Sequence, residues 1–516
     1  MRILLLGFIL LSTVAAADPR PQIGDGWPMH WRTWCDPAEG FSFRYPYRWM
    51  PVDMHRPLFN REWGTGGTAT TAEQEITVGK RKIKVMGKAA AKPTDLDHDL
   101  LVFSQADGGD KLDDVGDKQA RIPLTWTDYD YYRKDPARPH ADPKFAPAKV
   151  TARLGTAADR CCLVIRHSER ISGIVFAGPL TREFTQEIID TAEVIYIPDP
   201  NPKAKKPPAN TSGTWRERQA KLGKVVGPDG KLVDANLKGK PVPWKDGWEL
   251  ETEHYHITTH TSPARLMAHG AYFEALYRTY AGVYQPDRMP PMKCEVHIFD
   301  RRKDFGAASA AWGHGVGMSG GIVGGFFVPA LLSLWVYEES GELGGSDFTV
   351  EHVSAHECSH QFLHMACTGS ENVPTWVNEG LAVYFESGVF VENKFQERSP
   401  KERISRLQMA QEQTKGMLGK PDWYLKHKGH ISADMYGEVF AMVHFWLFDC
   451  TDGCKHTNCG RSRFITFWKA LRGGEEGDVA FERIFMQDMI KAKGSREAAL
   501  EAWETELLLY VKKRLR

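Results

Sequence analysis

The stretch that decides the fold reads VEHVSAHECSHQFLH and spans residues 350–364. It places a histidine at every fourth position, at His352, His356, His360 and His364. Residues four apart lie on one face of an α-helix. The segment from about 349 to 367 has no proline or glycine, and Gly369 follows as a stop signal. The sequence therefore predicts a helix with a stripe of imidazoles along one side.

The centre of this stretch is an H-E-x-x-H pattern, formed by His356, Glu357 and His360. Two imidazoles one helical turn apart can occupy two corners of a Zn²⁺ tetrahedron. Glu357 lies one step round the helix, where a carboxylate can take a proton from an attacking water. A helix that is merely rich in histidine is the alternative, so the pattern requires a third ligand.

The outer histidines, His352 and His364, extend the stripe by one turn in each direction. Four residues at this spacing cover about 18 Å of helix axis, which is too far for one metal ion. We expect both to neighbour the ligands or to lie at the surface. Cys358 points away from the ligand face and is expected to be a buried structural thiol.

A second helical segment follows, VPTWVNEGLAVYFE at residues 373–386, with Thr375 as its expected cap. It carries Glu379, separated from His360 by eighteen residues. Gly380 next to it would let another helix approach closely. This H-E-x-x-H…N-E-G-L-A arrangement resembles the gluzincin metallopeptidases, most closely the peptidase-MA-like group, from about Trp248 to the C-terminus.

The resemblance implies that Zn²⁺ is held by His356, His360 and Glu379, with Glu357 as general base. In thermolysin-type relatives an acidic residue four positions after the ligand glutamate supports a ligand histidine; here that position is Val383. The support must therefore come from another residue, and Asn378 and Glu386 are the candidates.

The developing oxyanion needs a hydrogen-bond donor besides the metal. The segment ISADMYGEVFAMVHFW at residues 431–446 resembles the family's segment for this role. We take Tyr436 as the first candidate and His444 as the second, with a tyrosine that only packs in the core as the alternative. The segment at residues 320–339, rich in glycine at its start, is the candidate edge strand for aligning a peptide substrate.

The whole chain has 516 residues and a formal net charge of +0, which argues against nucleic acid as the main partner. Residues 1–17 resemble a secretory signal peptide, with an apolar run and an A-x-A cleavage site before Asp18. The mature chain contains no other stretch of about 18 apolar residues. We therefore expect an exported protein, secreted or periplasmic, without a membrane span.

Composition and periodicity divide the mature chain. Residues 18–197 are predicted to form a small α/β sandwich domain, with strands near residues 40–49 and 76–87 and a later strand pair. This region resembles PsbP/Mog1-type domains, which implies an accessory module for an unknown partner. Residues 198–213 form a Pro/Lys-rich linker, 214–247 a turn-rich connecting segment with a hairpin near Asp229, and 248–516 the metallopeptidase domain.

Nine cysteines make an odd number, too few for a disulfide scaffold in a chain of this length. Cys450, Cys454, His456 and Cys459 fall within ten residues. A disulfide-bonded loop is the favoured interpretation of this cluster, and a second zinc site is the alternative.

The sequence thus predicts an α+β protein, in which a zincin-like domain of a small mixed sheet and active-site helices follows the sandwich domain. Its expected function is a zinc-dependent hydrolysis of peptide bonds, with a peptide or protein as substrate. Two alternatives stay open: a non-peptidase metallohydrolase on the same scaffold, and a metal-bearing binding or structural protein with little turnover.

Overall fold

A computed structural model gives the architecture of the chain. It describes residues 31–46, 50–53, 56–60, 71–78, 81–88, 99–133, 138–142, 149–178, 182–197, 213–236, 241–242, 246–286, 289–311, 324–329, 332–339, 349–366, 373–391, 394–396, 398–448 and 459–515. Across these residues helices and strands are both abundant, and the predicted α+β class is confirmed.

The first unit consists mainly of antiparallel strands with two helices. Its elements are β1 (Trp31–Asp36), β2 (Phe41–Pro46), β3 (Met50–Asp53), β4 (Arg56–Asn60), β5 (Thr71–Val78), β6 (Arg81–Lys88), β7 (Leu100–Ala106), α1 (Leu112–Ala120), β8 (Thr125–Tyr129), β9 (Val150–Thr156), β10 (Arg160–His167), β11 (Arg170–Ala177), α2 (Arg182–Asp190) and β12 (Glu193–Val194). The later strand pair of the sequence analysis is β10 and β11. The stretch at 76–87, expected as strand, contributes to the paired strands β5 and β6.

This unit is built around a seven-stranded sheet in the order β3-β4-β7-β11-β10-β9-β8, with antiparallel pairing throughout. Side chains alternate between its two faces, as the period of two in a strand requires. On β10, Cys162 and Val164 pack in the cluster that contains α1 residues. Leu163 and Ile165 pack in the opposite cluster, with β1, β2 and α2 residues.

The second unit begins with three short elements and then alternates strands and helices before a long helical part. Its elements are α3 (Trp215–Lys221), β13 (Lys224–Val226), β14 (Leu232–Asp234), β15 (Trp248–Glu251), β16 (Tyr255–Thr259), α4 (Pro263–Tyr284), β17 (Cys294–Phe299), α5 (Arg302–Ala311), β18 (Gly325–Val328), β19 (Ser333–Tyr337), α6 (Val350–Ala366), α7 (Thr375–Ser387), β20 (Val389–Val391), β21 (Lys394–Gln396), α8 (Lys401–Thr414), α9 (Pro421–Lys426), α10 (Tyr436–Phe448), α11 (Cys459–Arg472), α12 (Gly477–Phe481), α13 (Gln487–Lys493) and α14 (Arg496–Arg514). A π-helical turn joins α12 to α13.

Its sheet has seven strands in the order β14-β13-β15-β16-β17-β19-β18. The central pairs β16–β17 and β17–β19 are parallel, and β18 closes one edge as an antiparallel strand. All residues of β16, β17 and β19 are buried, which is typical of parallel strands covered on both faces. Helices α4 and α6 contribute to the same hydrophobic core as these strands.

The segment 214–247, expected only to connect the domains, contributes to this sheet and core. The hairpin predicted near Asp229 is present, because β13 and β14 pair on either side of a turn in which Gly230 has a φ of +77°. β13 also pairs with β15, and Val225 is buried in the core of the second unit.

Helices α6, α7 and α10 pack together, and glycine permits the closest contact. At Gly380 an added Cβ would lie 2.5 Å from the carbonyl oxygen of Val439 on α10, so no larger residue fits without a backbone shift. The close approach expected for Gly380 is therefore present. Thr375 does not cap α7 as expected: Pro374 takes the cap position, and the Thr375 hydroxyl donates to the Gly429 carbonyl at 2.9 Å.

The two units share buried polar contacts. The Thr33 hydroxyl on β1 donates to Glu251 on β15 at 2.7 Å, and the Cys35 amide donates to the Pro291 carbonyl at 2.9 Å. Arg32, which is fully buried, lies 3.7 Å from Glu295 on β17. Strand β1 is thus fixed to the second unit by both backbone and side chains.

Among the helices in the described ranges, none combines the length and the apolar character that crossing a membrane requires.

Candidate metal centre

Helix α6 buries one side in the core and turns the other toward α7. Cys358, Phe362 and Met365 lie on the buried side. His356 and His360 face the opposite way, with their ring centroids 4.9 Å apart. Their side chains are 12% and 14% exposed, which leaves room for access while most water is excluded.

The first turns of α7 place Glu379 opposite both rings. Its Oε2 lies 3.4 Å from His356 Nε2 and 3.5 Å from His360 Nε2. Bonds of 2.0–2.1 Å to a tetrahedral Zn²⁺ place neighbouring donors about 3.3–3.4 Å apart. The structure thus brings together the three residues that the sequence predicted as ligands, at separations that suit one ion.

Each imidazole is oriented by a hydrogen bond at Nδ1, the ring nitrogen that does not face Glu379. His356 Nδ1 lies 2.8 Å from Glu386 Oε2, and His360 Nδ1 lies 2.7 Å from Asn378 Oδ1. Since both partners are oxygen acceptors, each Nδ1 carries the donated hydrogen. Both candidates for the support of a ligand histidine are therefore used, one for each ring.

The carboxylates around this cluster stabilise positive charge on the two imidazoles. Burial alone disfavours a charged imidazole, but the carboxylates of Glu379 and Glu386 outweigh it and raise the pKa of His356 to about 10. Burial would raise the pKa of Glu379, yet His360 and His356 hold it well below its usual range. In the metal-free chain the three donors thus share protons that a divalent cation would replace.

The donor set passes a direct test of fit for zinc. Glu379 Oε2 is buried, and the two imidazole Nε2 atoms, at 3.4 and 3.5 Å, are too far away for short hydrogen bonds. A buried carboxylate oxygen in this position gains from a cation bound between it and the two rings. Two neutral imidazole nitrogens and a carboxylate oxygen are a ligand set that zinc takes, with a fourth position left for a reactant.

Glu357 is next to the cluster and is oriented by the edge strand. The Phe327 amide on β18 donates to Glu357 Oε2 at 2.9 Å. Burial raises the pKa of this carboxyl, and His356 and His360 lower it in part. The predicted general base is therefore fixed by the backbone of the strand proposed to align a substrate.

Tyr436, the first candidate for the oxyanion donor, also lies at the cluster. It is the first residue of α10, and its ring centroid is 6.0 Å from that of His356. His444 lies about 12 Å further along the helix axis. Its Nδ1 lies 2.6 Å from the Tyr510 hydroxyl on α14. This second candidate therefore contacts α14 and lies away from the donor cluster.

The other residues of the stripe lie outside the donor cluster. His352 Nδ1 lies 3.0 Å from the Thr349 hydroxyl at the start of α6, and the His364 ring is 5.7 Å from that of Phe327.

Cys358 is 1% exposed, and its burial raises the pKa of its thiol well above the usual value. The glycine-rich stretch before Gly324 and the cluster from Cys450 to His456 lie outside the described residues.

Sequence reasoning missed Arg403, whose guanidinium bonds Glu386 beside the cluster. It lies in a helix with no motif, so only the packing of α8 reveals it. A second group of possible ligands, Glu253, His254 and Glu274, was also missed. His254 bonds Glu274 through both its amide and its Nδ1, each at 2.8 Å, which identifies that group as a turn held by hydrogen bonds.

Comparisons of the chain with family models, with curated proteins and with solved structures find no match in any of the three. The function of the chain is therefore inferred from the geometry of the site.

Proposed function

We propose that this chain is an exported zinc-dependent hydrolase that cleaves peptide bonds. In this proposal the second unit is a gluzincin-like metallopeptidase domain of zincin-like architecture, and the first unit is an accessory module. The observation that carries the proposal is the orientation of His356 and His360, whose Nε2 atoms both face Glu379 while oxygen acceptors hold both Nδ1 atoms. A helix that is merely rich in histidine has no reason to be arranged in this way.

The residues that would hold the ion are His356, His360 and Glu379. Zn²⁺ there would polarise a scissile carbonyl and lower the pKa of a water molecule. Asn378 and Glu386 would keep both imidazoles in the tautomer that leaves Nε2 free to bind.

Glu357 would accept the proton of the attacking water and pass it to the leaving amine. The Phe327 amide supports this role, because its bond to Oε2 fixes the carboxylate beside the cluster. Tyr436 would donate from its phenol to the oxyanion that forms on the carbonyl, and its ring already lies near His356.

Strand β18 would align the substrate. Among the described residues it is the last strand of the sheet, and because its Phe327 amide already donates to Glu357, a substrate would use the other outward-facing backbone groups of this edge. An extended peptide can add to such an edge by backbone hydrogen bonds, which recognise any peptide regardless of its side chains. This supports a peptide or protein as the substrate.

The first experiment measures metal content by elemental mass spectrometry in the purified full chain, in His360→Ala and in His364→Ala. We expect about one zinc per chain in the wild type, lost in His360→Ala. His364→Ala is the matched control, because it removes a histidine one turn along the same helix but outside the donor cluster, and it should keep its zinc. A wild type without zinc after reconstitution would refute the proposal.

Peptide cleavage is tested next with a broad peptide library and with Glu357→Gln. This variant keeps the ligands, so it should retain zinc while cleavage falls by about 10²–10⁴-fold. Zinc binding without cleavage of any peptide would contradict the peptidase assignment. It would leave a non-peptidase metallohydrolase or a binding protein.

A further inference from the structure

Arg403 on α8 is a cation at the site that the proposed reaction does not use. Its Nη2 donates to both carboxylate oxygens of Glu386, at 2.7 and 2.9 Å, and its Nε donates to Oε1 at 3.2 Å. Forked, charge-assisted bonds of this kind fix the direction of a carboxylate as well as its charge. Arg403 therefore determines where Glu386 points.

Glu386 passes this orientation to the ligand ring of His356, since its Oε2 accepts from His356 Nδ1. The Glu386 residue is only 8% exposed. Without Arg403 the carboxylate of Glu386 would lose the forked bonds that fix its direction, and the acceptor of His356 Nδ1 would no longer be held in place.

The same guanidinium lies over the ring of Tyr436. Its Cζ lies 4.9 Å from the centre of the Tyr436 ring, within the range of a cation–π contact. This ring is the one that lies 6.0 Å from His356. One side chain thus contacts both the residue that supports a metal ligand and the proposed oxyanion donor.

The backbone of α8 holds Arg403 in this position. At Gly437, the second residue of α10, an added Cβ would lie 2.6 Å from the Arg403 carbonyl oxygen. The two helices therefore touch through backbone atoms at this point. The packing of α8 on α10 therefore places the Arg403 backbone next to Tyr436, and the hydrogen bonds to Glu386 fix the direction of its side chain.

We propose that Arg403 is the positioning residue of this site. Through Glu386 it holds the His356 ring for the metal, and through its cation–π contact it holds Tyr436 for the substrate. This inference rests on the proposed function, because it requires an ion at the cluster. It adds a group that neither binds the metal nor reacts.

The test compares zinc affinity, by competition with a chromophoric chelator, among wild type, Arg403→Gln, Arg403→Lys and Arg406→Gln. Loss of a residue that bonds a ligand directly weakens metal affinity by about 10–100-fold; because Arg403 acts one contact further out, we expect the lower end, about 10-fold, for Arg403→Gln. Arg403→Lys should weaken it by several-fold, since an ammonium cannot reproduce the fork. Arg406→Gln is the matched control, because Arg406 lies one turn further on α8 and pairs with Glu402 at the surface.

A second readout separates positioning from general damage to the fold. The absorption spectrum of the Co²⁺-substituted chain reports the geometry of the ion, and we expect Arg403→Lys to change it while Arg406→Gln does not. If Arg403→Gln does not fold, Arg403→Lys decides the outcome. Wild-type zinc affinity and spectrum in the Arg403 variants would overturn this inference alone, whereas a wild type without zinc would overturn the proposed function as well.

Discussion

A buried histidine in the second sheet should make the stability of this protein depend on pH. His256 on β16 is 1% exposed, and both ring nitrogens face carboxylates: Nδ1 lies 2.9 Å from Glu295 and Nε2 lies 3.4 Å from Glu249. Only an imidazolium can donate to both. Burial disfavours that charge, but the two carboxylates outweigh it and raise the pKa of His256 to about 9.

The size of the effect follows from this value. The pKa of His256 in the folded chain, about 9, lies above the ordinary value of 6.5. Its contribution to the free energy of unfolding is therefore complete below pH 6.5 and is lost as the pH rises through 9. At 1.36 kcal/mol per pKa unit, the contribution is about 2.0 kcal/mol at pH 7.5 and about 0.4 kcal/mol at pH 9. The loss over this interval is about 1.6 kcal/mol.

The assay is urea unfolding followed by tryptophan fluorescence at pH 7.5 and pH 9. For an m value of about 3 kcal/mol/M, the midpoint of the wild type should fall by about 0.5 M more than that of His256→Gln. His256→Gln keeps an amide donor at this position but cannot titrate. His430→Gln, at an exposed position, is the control and should behave like the wild type. An equal pH dependence in wild type and His256→Gln would refute the reasoning.

Three further predictions test the packing, the ligand support and the domain contact. Gly380→Ala should lower the free energy of unfolding by about 1–3 kcal/mol, measured by urea unfolding, because its Cβ would meet the backbone of α10 at 2.5 Å. Asn378→Ala should weaken zinc binding by about 10–100-fold in chelator competition, because His360 Nδ1 loses its acceptor. The fragment 213–516 alone should be less stable than the full chain by about 1–3 kcal/mol in urea unfolding, because Glu251 loses the Thr33 hydroxyl and Glu295 loses Arg32 while it keeps His256. Full stability in that fragment would show that the buried pair is dispensable.

The local parts of the site could be predicted from the sequence. A run without proline or glycine and a spacing of four residues are sufficient to place His356 and His360 on one face of a helix. The close approach of another helix at Gly380 could be predicted, because a residue without a Cβ permits such a contact. The shared helix face depends only on neighbours in the chain, whereas only the tertiary structure identifies α10 as the helix that approaches Gly380.

The support of the ligands could be predicted only as a set of candidates. Glu386 lies seven residues after Glu379, two turns along α7. It reaches His356 because of the way α7 packs against α6, which the sequence does not reveal. Arg403 comes from a different helix and carries no local signal. The Thr375 prediction was wrong for a related reason, since its hydroxyl found a tertiary partner in Gly429 and left the cap position to Pro374.

The domain boundary illustrates a further limit of sequence patterns. A proline- and lysine-rich linker predicts where a chain lacks a core, and it does not predict whether the domains on either side are independent. Here Arg32 and Thr33 are polar residues of a short strand, yet both are buried and contact the second unit. Separating the units would remove the Arg32–Glu295 ion pair and the hydrogen bond from Thr33 to Glu251, both of which are buried. The first unit should therefore be fixed on the second unit and not merely tethered to it by a linker. Any partner that the first unit binds would then lie at a constant position relative to the candidate metal centre.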